Sequence, residues 1–404
     1  MVIINELNLN LPSCPENTID GQALYDFDRE INREGSHCVK YDERQAVFGR
    51  ADVTPLWVAD MDFAAPPAIT EALIARARHP IYGYTRFPDT LYDAVINWVQ
   101  QRHGWSVPRE WIVFCPGVVP SLNAAINAFT NVGDPVIIQP PVYPPFFSAI
   151  TNNHRKLLPN PLRLEHSRYT IDFDHLTQCA QQAHLLLLCS PHNPVGRVWD
   201  QQELTSLLEI AEEHDLVIVS DEIHADLIYP GHKHHVTAAL AKNPSRVITA
   251  LSPSKTFNIP GLSLSTLIIS DTKLRARMTQ VFNAMHVSAA NPFSIVAFEA
   301  AYQKGEPWLE SLLDYLQGTR TAVETYLTNH LPEIKLIQPQ GTYLLWLDCR
   351  ALKMTDAQLK NFFVHKAGIG MNPGTQFGAK EGSGFMRLNI GAPRKIILDA
   401  LQQV

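Results

Sequence analysis

The stretch "HLLLLCSPHNPVG", residues 184–196, is a continuous apolar run that ends abruptly in a turn with two prolines. Runs of this kind are typical of strands that are covered on both faces. The amphipathic segment "DQQELTSLLEIAEEHD" (200–215) follows, with Asp200 as its candidate N-cap, and a second apolar run, "LVIVSD" (216–221), comes next. Strand, helix and strand in this order predict a mainly parallel α/β sheet.

The same alternation extends in both directions from this stretch. Further runs that read as buried strands are "WIVFC" (111–115), "PVIIQ" (135–139), "RVITALS" (246–252) and "STLIIS" (265–270). The segment "VPSLNAAINAFTN" (119–131) has a helical pattern. We therefore predict a large domain over residues 51–285, with a mainly parallel central sheet flanked by helices.

The pattern changes after about residue 285. A long helical region leads into "GTYLLWLDCR" (341–350), "TDAQLKNFFVHKAG" (355–368) and "GFMRLNIG" (384–391). Helix, strand, helix and strand in this order predict a smaller α+β domain over residues 286–404. Residues 1–50 are irregular in pattern, and we expect them to pack with that small domain.

The bulk composition excludes several classes of protein. The chain has 404 residues and a net charge of −7 without a long basic run, so a nucleic-acid partner is not expected. The six cysteines are scattered without a C-x-x-C pair, which indicates neither a zinc site nor a disulfide framework. Neither a secretory signal nor an apolar stretch of membrane-spanning length is found, and we expect a cytoplasmic protein.

In an open α/β sheet, ligands bind beyond the carboxyl ends of the strands, so the residues that follow each strand are the candidates for a site. Gly117, with Val118 and Val119 after it, opens a helix whose free N–H groups suit a phosphate, although many ordinary turns carry a glycine. Tyr143 stands among the prolines of "PPVYPPFF", where it can stack on a flat ring or pack within its own loop.

Three further strand ends carry polar groups. Asn193 can donate to a ligand oxygen or cap its own turn. Asp221 ends an apolar strand, where a carboxylate needs a cationic partner. Lys255 lies in "SPSKTFNIPG" (252–261), close to the hydroxyls of Ser252 and Ser254. It is either an exposed surface lysine or an amine that binds a carbonyl.

These strand ends together match one cofactor. Pyridoxal phosphate has a phosphate, a flat ring, a basic ring nitrogen that a buried aspartate keeps protonated, and an aldehyde that a lysine can bind. Arg387 in "GFMRLNIG" adds a guanidinium that suits bidentate binding of an α-carboxylate, with a surface ion pair as the alternative.

The order "SPHNPVG", "SDEIH", "SPSKTFNIPG" and "RLNIG" resembles the class I/II aminotransferases, pyridoxal-phosphate enzymes of fold type I, over nearly the whole chain. The stretches "LWVADMDFAAPPAI" (56–69) and "YGYT" (82–85) are similar to the branch of cystathionine β-lyases, or cysteine C–S lyases, which includes maltose-regulon modulators.

The resemblance implies a role for each candidate. It implies that Lys255 binds the cofactor aldehyde, that Asp221 pairs with the ring nitrogen and that Tyr143 stacks on the ring. Asn193 is implied to bond the ring 3-oxygen and to contact the substrate, whose carboxylate Arg387 is implied to hold. The implied phosphate ligands are Ser252, Ser254 and the backbone at Gly117 to Val119. It also implies a homodimer in which Tyr84 reaches the cofactor phosphate and substrate of the neighbouring subunit.

The sequence departs from the wider family at two positions. His224 stands where many aminotransferases have a tyrosine. We expect His224 to contact the cofactor, but we assign it no specific contact. Ser263 stands where many have an arginine that contacts the phosphate, which leaves the compensation of the phosphate charge open.

The resemblance implies an α,β-elimination in which Lys255 removes the Cα proton of cystathionine or another cysteine S-conjugate, with a thiol, pyruvate and ammonia as products. Transamination is the alternative, because both reactions share every step up to the loss of that proton. Asp62, Phe63 and Tyr343 are candidates for the walls of the substrate pocket.

Other classes fit less well. A non-catalytic regulator with a DNA-binding domain would need a helix-turn-helix ahead of "WVADMDF", and no such pattern is found there. A nicotinamide dehydrogenase would need G-x-G-x-x-G after a strand, whereas "AGIGMNPG" (367–374) lacks the third glycine and follows a helical pattern. The histidines of "GHKHH" (231–235) are predicted to lie in a solvated loop and not to bind a metal.

Overall fold

A seven-stranded sheet forms the centre of the molecule in the computed structural model, which describes residues 25–287 and 290–404 and the backbone of 18–19 and 22–23. Its strands are β1 (Ile112–Cys115), β2 (Pro135–Ile138), β3 (Lys156–Pro159), β4 (Leu185–Cys189), β5 (Val217–Asp221), β6 (Val247–Leu251) and β7 (Ser265–Ile269). They lie in the order β1-β7-β6-β5-β4-β2-β3.

All strands of this sheet except β7 run in one direction. β7 is antiparallel to β6 on one side and to β1 on the other, whereas β6, β5, β4, β2 and β3 pair in parallel. The predicted mainly parallel α/β fold is therefore confirmed. Because β1 and β6 both run opposite to β7, the carboxyl ends of β1, β2, β4, β5 and β6 share one edge of the sheet, and the amino end of β7 lies there too.

Both faces of the sheet are covered by apolar side chains, as the continuous apolar runs predict. In β4, Leu185 and Leu187 contribute to the core on one face, while Leu186 and Leu188 contribute to the core on the other. Every residue of β4, β5, β6 and β7 is buried. The four central strands therefore form a buried core, in which a few small polar side chains such as Thr249 are included.

Helices flank the sheet and form the rest of the molecule. The longer ones are Pro67–Arg78, Asp89–His103, Val118–Phe129, Pro144–Asn152, Phe173–Ala180, Gln201–Glu213, Thr272–Ala284, Pro292–Lys304, Glu306–His330, Asp356–Asn361 and Arg394–Leu401. Short ones are Val39–Asp42, Arg44–Phe48, Thr237–Leu240 and Pro253–Thr256, a π-helical turn is Phe362–Lys366, and 3₁₀ turns are Arg109–Trp111, Pro244–Arg246, Pro260–Leu262, Arg350–Leu352 and Gly374–Phe377.

Asp200 is confirmed as an N-cap, because its carboxylate accepts the Glu203 N–H at 2.8 Å while the Glu203 carboxylate accepts the Asp200 N–H. Helix Pro292–Lys304 packs against helices Pro67–Arg78 and Asp89–His103. None of the helices in the described part of the chain is both long enough and apolar enough to cross a bilayer.

A second, antiparallel sheet lies in the carboxyl-terminal part, with strands β8 (Lys335–Ile337), β9 (Leu344–Asp348), β10 (Asn372–Pro373) and β11 (Phe385–Asn389) in the order β8-β9-β11-β10. Three two-stranded pairs complete the structure: Thr18–Ile19 with Gln22–Ala23, Thr54–Pro55 with Ile369–Gly370, and Arg163–Glu165 with Arg168–Thr170. The division of the chain at residues 50 and 285 stays a prediction.

The sheet offers a matched pair of leucines for a stability test. Leu187 in β4 is 1% exposed, whereas Leu157 in β3 is 38% exposed. We expect Leu187→Ala to lower the free energy of unfolding by about 2–5 kcal/mol because it leaves a cavity in a closed core. Leu157→Ala should cost less than about 1 kcal/mol. Urea denaturation of both variants measures the difference, and equal losses would contradict the central position of β4.

Candidate active site

A cavity of about 290 Å³ opens at the carboxyl edge of the large sheet. Ten of the residues predicted from the sequence line it: Gly117, Val118, Val119, Tyr143, Asn193, Asp221, His224, Ser252, Ser254 and Lys255. The amino end of β7 contributes Ser263, Leu264 and Ser265, because this strand runs opposite to its neighbours. The structure therefore brings the predicted strand-end residues into one site.

Lys255 lies on the short helix Pro253–Thr256, directly after β6. Its Nζ donates a hydrogen bond to the Ala59 carbonyl at 2.6 Å. Burial lowers the pKa of Lys255 to about 8, with Asp60 and Asp221 opposing this shift and Arg387 adding to it. The lowered pKa makes the neutral amine, which attack on an aldehyde requires, more accessible than in an ordinary lysine.

Asp221 is the last residue of β5 and is 5% exposed. Its carboxylate accepts the Ile223 N–H at 3.2 Å, which is the one hydrogen bond to this carboxylate found among the described residues. Burial raises the pKa of Asp221 to about 7, and the bond from Ile223 and the charge of Lys255 only partly oppose it. The site thus contains a buried acid that a cationic ligand would stabilise in its charged form.

One end of the cavity has the donors that suit a phosphate. The helix Val118–Phe129 begins directly after Gly117, so its first N–H groups face the cavity edge. A side chain at position 117 would bring its Cβ to 3.3 Å from the Cδ of Pro120, so glycine leaves the backbone accessible. The Ser252 hydroxyl accepts the Ser254 N–H at 3.2 Å and caps the helix that carries Lys255.

Arg387 is buried in β11, so the alternative of a surface ion pair is excluded. Its guanidinium donates to the Asn193 Oδ1 at 3.1 Å, the Trp57 carbonyl at 2.9 Å and the Asn372 Oδ1 at 2.8 Å, and all three acceptors are neutral. Burial lowers its pKa to about 10. None of the carboxylates that the structure describes pairs with this cation, whose three hydrogen bonds go to neutral oxygens.

His224 is 3% exposed, and its Nδ1 has no hydrogen-bond partner among the residues that the structure describes. Burial lowers the pKa of His224 to about 3, with the charges of Lys255 and Arg387 adding to the effect. The imidazole is therefore neutral and lies close to the ring of Tyr343, at 6.0 Å between ring centroids.

Tyr84 does not line the cavity of its own chain and is fully exposed.

Sequence reasoning missed the function of the segment "VADMDF", residues 58–63. The Asn389 side chain donates to the Val58 carbonyl at 2.5 Å and to the Asp60 carbonyl at 2.7 Å. The Asn258 side chain donates to the carbonyls of Met61 and Phe63, each at 2.8 Å. These bonds fix the segment so that the Ala59 carbonyl faces Lys255. In the sequence, this arrangement could have been suspected from the two asparagines, which end the motifs "SKTFN" and "RLN".

The three candidates for the walls of the pocket do not line the cavity. Asp62 is held by Arg33 at 2.6 Å and by the buried Lys40 at 2.8 Å, because a buried carboxylate needs cationic partners. Phe63 packs its ring against Phe27. The Tyr343 hydroxyl donates to the Ala59 carbonyl at 2.9 Å.

The prediction of a solvated loop at "GHKHH" is wrong for one of its histidines. His232 and Lys233 are exposed, but His234 is 6% exposed and its Nε2 lies 2.8 Å from Oε2 of the buried Glu222. The physical reason is the buried carboxylate, which requires a donor. Within residues 25–287 and 290–404, no cluster of three histidine, cysteine or acidic residues has a geometry that could hold a metal.

A family model described as aminotransferase class I and II matches residues 51–403. The chain belongs to this family. The resemblance found in the sequence motifs is thereby confirmed.

Two relatives in this family cover almost the whole chain. Cystathionine beta-lyase PatB of Bacillus subtilis (strain 168) is 43% identical over 381 residues, which span 94% of this chain and 98% of that protein. Protein MalY of Escherichia coli (strain K12) is 33% identical over 92% of this chain and 95% of its own length.

Two solved structures of family members share the fold throughout. Cystalysin from Treponema denticola, which contains pyridoxal 5'-phosphate, superimposes with a TM-score of 0.92 at 37% identity, covering 94% of this chain and 98% of the other. The pyridoxal-phosphate-bound C–S lyase from Staphylococcus hominis gives a TM-score of 0.88 at 32% identity, covering 94% and 97%.

The raised pKa of Asp221 predicts how pH affects the cofactor-free protein. Because the pKa is about 7 in the folded chain and about 4 in the unfolded chain, the folded state binds more protons between these values. The free energy of unfolding should therefore fall as pH rises through this window. Relative to Asp221→Asn, the wild type should lose roughly 2–3 kcal/mol between pH 5 and pH 8. Urea denaturation at both pH values measures this loss, and parallel pH profiles would contradict it.

Proposed function

We propose that the protein is a pyridoxal-phosphate-dependent carbon–sulfur β-lyase, which converts cystathionine or a related cysteine S-conjugate and one water molecule into a thiol, pyruvate and ammonia. With cystathionine the thiol is homocysteine. The observation that carries the proposal is the convergence of the Lys255 amine and the Asp221 carboxylate in one buried cavity. The names of its relatives, a cystathionine beta-lyase and a C–S lyase, support this activity.

The residues of the cavity fit pyridoxal phosphate. Asp221 lacks a cationic hydrogen-bond partner among the described residues, and it would keep a pyridine nitrogen protonated. Asn193 lines the same cavity and would bond the ring 3-oxygen, and the ring of Tyr143 lies in the cavity wall, where it would stack on the cofactor ring. Ser252, Ser254 and the backbone from Gly117 to Val119 would hold the phosphate.

Arg387 is proposed to bind the α-carboxylate of the substrate. Its guanidinium is already oriented by the Asn193 and Asn372 side chains and by the Trp57 carbonyl. Because Asn193 also lies in the cofactor cavity, the bond between the two side chains couples the position of the substrate to that of the cofactor.

Lys255 is proposed as the base that removes the Cα proton. Bound pyridoxal phosphate supplies a protonated conjugated ring that takes up the electron pair of the broken Cα–H bond. The Lys255 Nζ needs a free electron pair to accept the proton, and burial favours its neutral form. When its amine is free, the Ala59 carbonyl accepts one of its N–H groups, which leaves the electron pair of Nζ available.

The phosphate is proposed to gain a further contact from a second subunit. Tyr84 is fully exposed, and Ile81 and Tyr82 on the same loop are 68% and 56% exposed. An exposed apolar loop of this kind suits an interface between two copies of the chain. In this homodimer Tyr84 would reach the phosphate and substrate of the neighbouring site. We further propose a cytoplasmic protein without nucleic-acid or membrane partners.

Replacement of the proposed base tests the reaction. The wild type should release pyruvate from cystathionine in the absence of any 2-oxo acid, measured by coupled reduction of the pyruvate. Lys255→Ala should abolish this release and the visible absorbance of the enzyme-bound cofactor, because the amine provides both the covalent link and the base. A wild type that turns over only when a 2-oxo acid is added would favour the aminotransferase.

Mixing two inactive variants tests the shared site. If Tyr84 acts in the neighbouring subunit, a heterodimer of Lys255→Ala and Tyr84→Ala has one intact site. Refolding an equal mixture should therefore restore about a quarter of the wild-type lyase activity, since half of the dimers are mixed. Each variant refolded alone is the control. No recovery, with mixed dimers detected by a tag on one chain, would contradict the shared site.

A further inference from the structure

Another buried carboxylate, Asp226, contacts the short helix that carries Lys255. Asp226, five residues after Asp221 on the same loop, is 5% exposed and does not line the cavity. Its Oδ2 accepts the Thr256 hydroxyl at 2.9 Å, while its Oδ1 accepts the Trp98 Nε1–H at 3.2 Å and lies 3.0 Å from the His103 Nε2. None of these partners lines the cavity.

Thr256 immediately follows Lys255 on the helix Pro253–Thr256. Successive side chains on a helix point about 100° apart, so Lys255 can face the cavity while Thr256 faces Asp226. A helix of four residues has few internal hydrogen bonds, and its orientation therefore depends on bonds to its surroundings. Thr256 is fully buried and provides such a bond next to Lys255.

The acceptor in this bond is a carboxylate. Burial by itself would raise the pKa of Asp226, but the hydrogen bond and charge of His103 and the hydrogen bond from Thr256 outweigh burial, so its pKa lies below the usual value. A charged acceptor makes a stronger hydrogen bond than a neutral one. The loop after β5 is itself fixed, since its Glu222 carboxylate accepts from Ser220 at 2.9 Å and from the Thr237 N–H at 3.0 Å.

We propose that the hydrogen bond from Thr256 to Asp226 positions Lys255 for its covalent link to the cofactor and for proton transfer. Thr256 and Asp226 are thus positioning residues that act through Lys255 and touch neither substrate nor cofactor. Asp221, which ends β5, and Asp226 belong to the same segment. This segment therefore supplies the carboxylate proposed for the cofactor ring nitrogen and also holds, through Thr256, the short helix that carries Lys255. This inference rests on the proposed function.

Thr256→Val removes the hydroxyl and keeps the shape of the side chain. When pyridoxal phosphate is added to the cofactor-free variant, the covalent link to Lys255 should form about tenfold more slowly than in the wild type. The pH midpoint of the visible absorbance of this link should shift by roughly half a unit. In the loaded enzyme kcat for cystathionine should fall about tenfold with KM within about twofold of the wild type.

Two further variants complete the design. Thr256→Ser restores a hydroxyl and should recover most of the rate of link formation. Thr249→Val makes the same chemical change at a fully buried threonine of β6 whose hydroxyl has no partner among the described residues, and it should leave all three measurements unchanged. Thr256→Ala replaces Thr256→Val if the latter does not fold.

Three outcomes would contradict the proposals, one the proposed function and two the positioning role. A wild-type protein that forms no link with pyridoxal phosphate would overturn the proposed function itself. A wild type that forms the link, together with a Thr256→Val variant that forms it at the same rate and with the same pH midpoint, would overturn the positioning role alone. Equal changes in Thr256→Val and Thr249→Val would also overturn it, because they would reflect only a general response to losing a buried hydroxyl.

Discussion

The burial of the Asp221 carboxylate is the constraint on which the site depends. Every residue of β5 is buried, so the chain delivers this acid to the buried end of a strand, at the wall of the cavity. The main chain supplies one hydrogen bond at Ile223, and burial still raises the pKa of Asp221 to about 7. A ligand that brings a cationic ring nitrogen removes this cost, because the attraction between the charges replaces lost hydration. The burial of a carboxylate at the end of a parallel strand therefore itself favours binding of such a ring.

The site is assembled from segments that are far apart in the sequence. Lys255 follows β6, Arg387 lies in the second sheet, and the Ala59 carbonyl belongs to the segment 58–63. Two asparagine side chains join these parts: Asn258 binds the segment from the turn that carries Lys255, and Asn389 binds it from the strand that carries Arg387. Each amide donates to main-chain carbonyls of the segment, so a shift of one part would break bonds to the others. The segment 58–63 therefore links the turn that carries Lys255 to the strand that carries Arg387.

The sequence predicts most of the large sheet because its central strands are apolar throughout, and the strand-end residues because parallel strands bring their carboxyl ends to one edge. β3 was not predicted: it lies at the edge of the sheet, and exposed residues such as Lys156 and Leu157 do not produce an apolar run. The contribution of Ala59 is made by a main-chain carbonyl, which carries no side-chain signal. The burial of His234 depends on Glu222, whose position inside the core becomes evident only when the loop after β5 is folded.

The loop "SDEIHAD" places three carboxylates within six residues, and their surroundings give them different chemistry. Glu222 has His234 and the Thr237 N–H as partners, and Asp226 has His103, Trp98 and Thr256. Both of these acids are satisfied by the protein itself, so neither gains from a ligand. Asp221 alone among the three faces the cavity and has a single main-chain donor in the described structure. The three side chains carry the same carboxylate group, and the partners that the fold supplies determine whether each one is available to a ligand or holds other parts of the protein in place.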